Sequence, residues 1–412
     1  MAIDFTFAPE VEEVRQRVRS FMDNVVRPAE VGVSLEREST EGRNDLIRTI
    51  VSLRLKAKEA GLWNPHMPKE WDGMGLGITA LAALSSEAAK TRLGPFALNC
   101  QAPDEGNMHT LLHFGTDEQK EKYLKPLCQG YARSCFAMTE PEVAGSDPTL
   151  IQTFAVQDGD DYVINGHKWF ISGAHGATFA ILICKTDPEA GIPQARNSAF
   201  IVETNTKGWN RVRDIETMGG GSSHHSEIVI ENMRVPAKNM LGGRGQGHTL
   251  GQVRLGPARL AHCMRWIGQT EQALDMLVDR ATKRFSHGSV LADKQGIQWM
   301  MADSAMELYA AKLMVLHAAY RIENGLTFKT EVSMAKHHVA NTLWRVIDRA
   351  VQVHGALGYS KDTPLANMLI QARWARFADG ADEVHQMNIA KQVIAAYQAE
   401  GTTRRATGDL PL

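Results

Sequence analysis

The chain lacks any apolar run long enough to cross a bilayer. Its longest strongly apolar stretch, Phe179-Ala-Ile-Leu-Ile-Cys184, falls far short of the roughly 20 residues a spanning helix needs. It also lacks an excess of either charge. Lys and Arg number 45 against 47 Asp and Glu, a formal net charge of -2, so no global basic field marks a binder of nucleic acid or anionic membrane. The five cysteines (Cys100, Cys128, Cys135, Cys184, Cys263) show no C-x-x-C spacing, and an odd, unpatterned count predicts reduced thiols in a cytoplasmic protein. Met1 to Glu10 has neither the basic start and apolar core of a secretory signal nor the Arg-rich, acid-poor character of a transit peptide. No internal repeat or low-complexity tract occurs. His224-His225 and His337-His338 are adjacent pairs with no Cys or carboxylate pattern to complete a site, and neighbouring residues on a strand point to opposite faces, so no metal is expected.

What is present divides the chain into three textures. Residues 1–130 carry helical apolar spacing, as in Val11-Val14-Val18-Phe21-Met22 and Leu46-Ile50-Leu53-Ala57. A Gly-rich loop, Pro68 to Gly77, interrupts them, and Thr116 is a candidate N-cap for a helix opening at Asp117. Over 131–241, β-branched and aromatic runs alternate with turns at Asp158-Gly159, Asn165-Gly166 and Lys207-Gly208. Gly242-Gly-Arg-Gly-Gln-Gly247 has no βαβ context and is not a dinucleotide fingerprint; it reads as a flexible linker. From 242 to 412 the pattern is helical again, over about 248–282, 292–324, 327–354, 365–376 and 383–399. Ile297, Met301, Ala305, Leu308, Ala311, Val315 and Ala319 form a candidate buried stripe. The expected fold class is α+β: an N-terminal helical domain, a small central β-barrel or β-sheet domain, and a C-terminal helical bundle.

Two segments carry most of the chemical information. Phe136-Ala-Met-Thr-Glu-Pro-Glu-Val-Ala-Gly-Ser-Asp147 reads as a strand entering a loop whose N–H groups and hydroxyls can face a ligand. Asn165-Gly-His-Lys-Trp-Phe-Ile-Ser-Gly173 reads as a turn followed by a strand. In this order they resemble the flavin-holding segments of the acyl-CoA dehydrogenase family. Five further stretches fall in register: Pro68 to Gly75, Val235-Pro236 with Leu241-Gly242, Arg284-Phe-Ser-His-Gly288 with Gln295, Gln352-Val-His-Gly-Ala-Leu-Gly358, and Phe377-Ala-Asp-Gly-Ala-Asp-Glu383. The resemblance covers nearly the whole chain and implies a C-terminal four-helix bundle, FAD as cofactor and an acyl-CoA as substrate.

It also implies roles for individual residues. Phe136, Met138, Thr139, Gly145, Ser146, Phe170, Ile171 and Ser172 match the flavin-holding positions. Ser172 would lie near flavin N5, Phe170 on the flavin face, and Ser146 on the pantetheine arm of CoA. Arg284, His287 and Gln295 lie in the segment whose Arg and Gln reach the flavin diphosphate of a neighbouring subunit; Gln352 and Gly355 match the loop that binds the adenosine half of FAD. Asp379 falls at the catalytic carboxylate, with Gly380 and Asp382 beside the ligands and Arg259 next to the base. A flat ring and a dianionic diphosphate need stacking surfaces, backbone donors and an Arg, which these residue types supply. A free Asp has a pKa near about 3.9, so burial against ligand would have to raise it for proton abstraction α to a thioester.

The sequence departs from the commoner pattern at several points. Asp379 replaces the usual Glu. Ala258, before Arg259, excludes the base position some members use on the first bundle helix. His287 stands where Phe is usual, Ile370-Gln371 where Arg-Asp is common, and the loop at Glu142-Val143-Ala144 is one residue longer. Asp379-Gly-Ala-Asp-Glu-Val-His385 is most similar to a subgroup that often acts beside, or fused to, a kinase-like domain. Glu383 is the competing carboxylate; the register from Gly355 and Pro364 favours Asp379. The implied activity is conversion of an acyl-CoA to a trans-2-enoyl-CoA, as in β-oxidation, by a homotetramer that passes electrons to an electron-transfer flavoprotein. The alternatives are an oxygen-using relative, either nitroalkane-oxidase-like or an acyl-CoA oxidase, and a non-catalytic binding protein of the same fold.

Overall fold

The computed structural model describes residues 6–33, 40–219 and 222–407. Its longer helices are α1 (Pro9–Phe21), α2 (Thr40–Glu59), α3 (Ile78–Ala88), α4 (Asp104–Phe114), α5 (Gly247–Lys283), α6 (Gln295–Glu323), α7 (Lys329–His354), α8 (Leu365–Ala375) and α9 (Asp382–Glu400). Between α4 and α5 run β1 (Ser134–Ala137), β2 (Phe154–Asp158), β3 (Asp161–Ser172), β4 (Phe179–Lys185), β5 (Asn197–Glu203), β6 (Trp209–Glu216), β7 (Ser222–Pro236) and β8 (Met240–Leu241). The helical ranges expected beyond residue 248 agree with the observed ones to within a few residues, because an apolar face recurring every 3.6 residues is a long-range signal. No helix among the described residues is long and apolar enough to cross a membrane.

The chain divides into two compact units. One gathers Gly32–Gly75, where described, and Phe96–Ala258. Its mixed sheet has the order β6-β7-β3-β2-β4-β5-β8, with β1 parallel to β4 (Ser134 opposite Phe179). β4 explains why the sheet is covered on both sides. Ala180, Leu182 and Cys184 enter one apolar cluster with Ile164, Phe200 and Ile228, while Phe179, Ile181 and Ile183 enter another with Met108, Leu111 and Leu127. Side chains alternate across a strand, so an uninterrupted apolar run is what a strand buried on both faces requires. Thr116 caps the following helical turn through a full capping box with Gln119.

The other unit gathers the described residues up to Val31, Leu76–Pro95 and those from Arg259 onward. Its core interleaves Leu260, Cys263 and Ile267 of α5, Leu308, Ala311 and Val315 of α6, and Val339, Leu343 and Val346 of α7. The stripe expected on α6 is corrected at one position. Ser304 is buried and Ala305 exposed, because steps of four and three residues from Ile297 through Met301 lead to 304. Ser304 satisfies its hydroxyl on the Met300 carbonyl, 2.6 Å away.

Two local expectations are also corrected. Asn165-Gly166 is no hairpin turn: β3 runs through it, pairing with β7 across an irregularity between Ile164 and Gly166. A side chain on Gly166 would meet Thr153 Oγ1 at 2.2 Å, so the glycine serves close packing. The 242–247 segment is no loose linker either, since Gly245 N donates to Ser198 Oγ (2.9 Å) and Arg244 Nη2 to the Thr186 carbonyl (3.0 Å).

Helix α5 packs against the end of α3 at Gly268, where a Cβ would stand 2.0 Å from the Ser86 carbonyl oxygen. Gly268→Ala is expected to destabilise the protein by about 1–3 kcal/mol through overpacking, read from denaturant unfolding; an unchanged midpoint would contradict this packing.

Candidate active site

Helix α8 ends at Ala375, and the chain then turns sharply before α9. Asp379 sits at φ +51° and Gly380 at φ +111°. Asp tolerates the left-handed region at a cost of about 1–2 kcal/mol, and Gly380 is required twice over. Its φ is one reason; the other is that a Cβ would lie 2.8 Å from His385 Nε2. Both carbonyls of the turn are held by cations. Arg259 Nε donates to the Asp379 oxygen at 2.7 Å, and Lys336 Nζ donates to the Gly380 oxygen at 2.6 Å. Lys336 is fully buried on the apolar face of α7. Burial pulls both cations below their ordinary values, opposed by the Asp379 charge at Arg259 and by Asp382 at Lys336. Asp382 anchors the far side of the turn, accepting from Arg376 Nε (2.8 Å) and Asn341 Nδ2 (3.1 Å).

The Asp379 carboxylate has a neighbour the sequence reading did not name. His262 Nε2 lies 3.3 Å from Oδ2. The imidazole stacks on Trp266 (centroids 5.2 Å apart, 24°) and meets the edge of Trp374 at 5.6 Å. His385, at the start of α9, is fully buried with neither ring nitrogen satisfied by a well-formed hydrogen bond. Burial, then Lys336 and Arg259, push its pKa down to about 4. The competing carboxylate, Glu383, is exposed on the first turn of α9.

In the sheet-containing unit, the two motif segments are brought together by consecutive residues of β3. His167 meets Glu142 (2.8 Å), Lys168 meets the Met138 carbonyl and Glu140 (both 2.8 Å), and Trp169 exchanges hydrogen bonds with Thr139. Lys168 and Glu140 are completely enclosed. Burial alone raises the Glu140 carboxyl, but the Lys168 ammonium and donors from Thr153 and Gln152 hold it below its ordinary value. Beyond this ladder the sheet register shifts between Lys168 and Ile171, and Phe170 takes φ +51°. Its ring is left 40% exposed, edge-on to Trp169. Ile171 points into the core, and the Ser172 hydroxyl meets His225 Nδ1 at 2.9 Å. Phe136 lies under the Arg254 guanidinium at 4.2 Å, while Gly145 and Ser146 are exposed on the loop.

Arg284, His287 and Gln295 are all exposed around a small hairpin, Phe285–Ser286 with Ser289–Val290. His287 (φ +48°) and Gly288 (φ +84°) form its two-residue turn, so the residue usual as Phe is here a turn residue. Gln352 and Gly355 lie at the exposed end of α7, where Gly355 caps the helix at φ +64°. Among the described residues no three His, Cys, Asp or Glu side chains gather as a metal set. His225 is engaged by Ser172, and His338 Nε2 meets the Glu307 carbonyl at 3.3 Å.

Two of the missed residues had sequence signals. His262 follows Arg259 by three positions, hence on the same helix face. Lys336 is a charge inside the apolar series Val332, Ala335, Val339, Ala340, Leu343.

Comparison with known proteins agrees along the chain. Profiles of the acyl-CoA dehydrogenase N-terminal, middle and C-terminal domains match residues 8–131, 135–233 and 245–394. The chain is 40% identical over 395 residues to "Probable acyl-CoA dehydrogenase FadE2" of Mycobacterium tuberculosis, covering 94% of this chain and 96% of that one. It is 38% identical to acyl-CoA dehydrogenase family member 11 of Gallus gallus, over 92% of this chain but about half the length (50%) of that relative. A solved Mycobacterium abscessus structure described as an acyl-CoA dehydrogenase superposes with a TM-score of 0.88 at 36% identity, covering 95% of this chain and 100% of that one.

His385 makes stability pH-dependent. Its pKa is depressed in the fold to about 4 against about 6.5 when free, so the unfolded chain takes up the proton first as pH falls. Its contribution is constant above about pH 6.5 and declines toward pH 4, by on the order of 3 kcal/mol. Thermal unfolding of His385→Gln is expected to lose this part of the pH slope; an identical slope in both proteins would refute it.

Proposed function

The chain belongs to the acyl-CoA dehydrogenase family, and we propose that it oxidises an acyl-CoA thioester to the trans-2-enoyl-CoA with Asp379 as the base. The observation that carries the reading is the Asp379-Gly380 turn. A carboxylate stands on a left-handed backbone whose two carbonyls are fixed by Arg259 and Lys336, which presets the direction of the side chain before any ligand binds.

The family's cofactor is FAD, and the residues present suit it. An exposed aromatic face at Phe170, a hydroxyl at Ser172 and an open loop at Gly145-Ser146 supply stacking and donors. Thr139 and Met138 fix that loop, with Phe136 and Ile171 packed behind the two segments. Gln352, Gly355, Gly380 and Asp382 are the bundle's proposed contributions. When bound, FAD supplies the acceptor for the hydride leaving the β carbon. The chain's own part is proton transfer: the α C–H bond breaks, its proton passes to the Asp379 carboxylate, and the electron pair enters the new double bond. The Asp379 N–H would donate to the thioester oxygen as enolate charge develops. Exclusion of water by the acyl chain would raise the basicity of a carboxylate at this position during the reaction. Ser146 would orient the pantetheine arm. Electrons would leave through an electron-transfer flavoprotein, in a cytoplasmic enzyme.

A homotetramer fits the surface of the bundle. Trp299, Met306 and Tyr309 on α6 are each more than 60% exposed, beside the exposed Arg284 and Gln295. Large exposed aromatics clustered on one helix mark an interaction surface.

Anaerobic addition of straight-chain, branched and oxygenated acyl-CoAs should bleach the flavin band, with slow reoxidation by air and fast reoxidation by an electron-transfer flavoprotein. A band untouched by every thioester would reject the reading, and rapid reoxidation by air would favour the oxidase alternative. Asp379→Asn is expected to slow bleaching by about 10²- to 10⁴-fold with flavin content intact, whereas Glu383→Gln reduces normally; the reverse pattern would move the base. Arg284→Ala should lose FAD on gel filtration more readily than the unaltered protein while light scattering still reports a tetramer. A monomeric, fully flavinylated wild type would overturn the shared-cofactor assembly.

A further inference from the structure

We propose that His262 is a positioning residue for the Asp379 base and that the two side chains titrate as a pair. The inference rests on the reading of Asp379 as the base. The contact is direct, His262 Nε2 to Asp379 Oδ2 at 3.3 Å, with the imidazole side chain only 10% exposed. The ring has little freedom, since Trp266 stacks on it and Trp374 abuts it edge-on. Trp266 is one turn further along the same helix, so the stack is built into α5. Three residues earlier on α5 is Arg259, whose Nε holds the Asp379 carbonyl at 2.7 Å. One helix face therefore holds both the backbone and the carboxylate of a single residue.

That double hold suits an aspartate. Its side chain has only two torsions, and the backbone that carries them is fixed at φ +51°. The contact from His262 to Oδ2 sets the remaining rotation, so the carboxylate meets the α-proton in one orientation. The step is balanced: the α C–H bond breaks, an O–H bond forms on the carboxylate, the C–H electron pair enters the new double bond as the β-hydride leaves, and the Nε2–H···Oδ2 contact persists. The charged and titratable groups around the pair are Arg259, Cys263 and Arg265 on α5, Lys336 on α7, Arg376 after α8, and Asp382 and His385 on α9. Either the neutral imidazole carrying its proton on Nε2 or the imidazolium can donate to Oδ2. Protonating His262 strengthens its hold on Oδ2 and weakens the carboxylate as a base. The acid limb of the rate profile thus belongs to the pair and not to Asp379 alone.

The test follows flavin reduction at saturating acyl-CoA across about pH 5 to 9, in wild type, His262→Ala and His262→Gln. The Ala variant should lose about 10- to 100-fold in rate with flavin content and half-saturation unchanged. The Gln variant keeps a donor without a titration, so it should recover part of the rate and lose the limb contributed by the imidazole. A second readout needs no substrate. In holoenzyme with isotope-labelled histidine, the His262 ring signal should titrate at lower pH once Asp379→Asn removes the neighbouring charge. Wild-type rate and profile in His262→Ala, or a His262 titration indifferent to Asp379→Asn, would overturn the proposal. So would loss of flavin or of melting temperature accompanying the rate loss, which would assign the ring to packing. A wild type whose flavin no thioester reduces would instead strike the dehydrogenase reading, and the ring titration would still decide the pairing.

Discussion

Two successive peptide carbonyls, each held by a buried or half-buried cation, are the constraint on which the C-terminal site depends. Helix α8 must stop, reverse and give way to α9 within a few residues, and the reversal places a non-glycine residue in left-handed backbone. Such a conformation persists only where surrounding contacts over-determine it. Arg259 comes from α5 and Lys336 from α7, so the turn is fixed from two sides of the bundle by groups whose own burial is costly without a partner. Removing either cation would leave a bare carbonyl and free the backbone that aims Asp379.

The sheet-containing unit uses the same physics on a different chain segment. Lys168 and Glu140 gain little net stability from each other, because desolvation of two charges offsets most of their attraction. What the pair supplies is position. Lys168 also holds the Met138 carbonyl, and Glu140 takes the N–H groups of Gln152 and Thr153, so one ion pair ties β1, its loop, β3 and the approach to β2. The neighbouring Phe170 can then expose its ring from an irregular stretch of strand without loosening the segments on either side.

The large elements were legible because their signals are repeated many times. The helix bounds from α5 to α9 and the Thr116 cap follow from periodicity and a local capping signal. Single-residue features were read less well. Asn165-Gly166 has the composition of a hairpin turn, yet what decides its conformation is Thr153, on a separate segment, packed against Gly166. The 242–247 glycines look loose until Ser198 and Thr186 are seen to hold them. Asp379 and Arg259 came from register with a family, which says nothing of contacts peculiar to this chain. His262 over Asp379, His225 on Ser172 and Lys336 under Gly380 join residues 44 to 117 positions apart by their numbering, and no local pattern encodes such pairings. The readable traces were two: His262 on the helix face of Arg259, and Lys336 as a charge inside an apolar helix face.

All five cysteines are reduced and buried. Burial pushes the thiols of Cys128, Cys184 and Cys263 up to about 12, and that of Cys135 upward as well. Thiolate is the reactive form, so burial makes these thiols slow to meet thiol reagents while the chain stays folded. That shielding makes the protein its own gauge of opening: the rate at which each buried cysteine becomes labelled reports how often the element around it comes apart. A cysteine introduced on the surface would also be labelled ahead of the five buried ones.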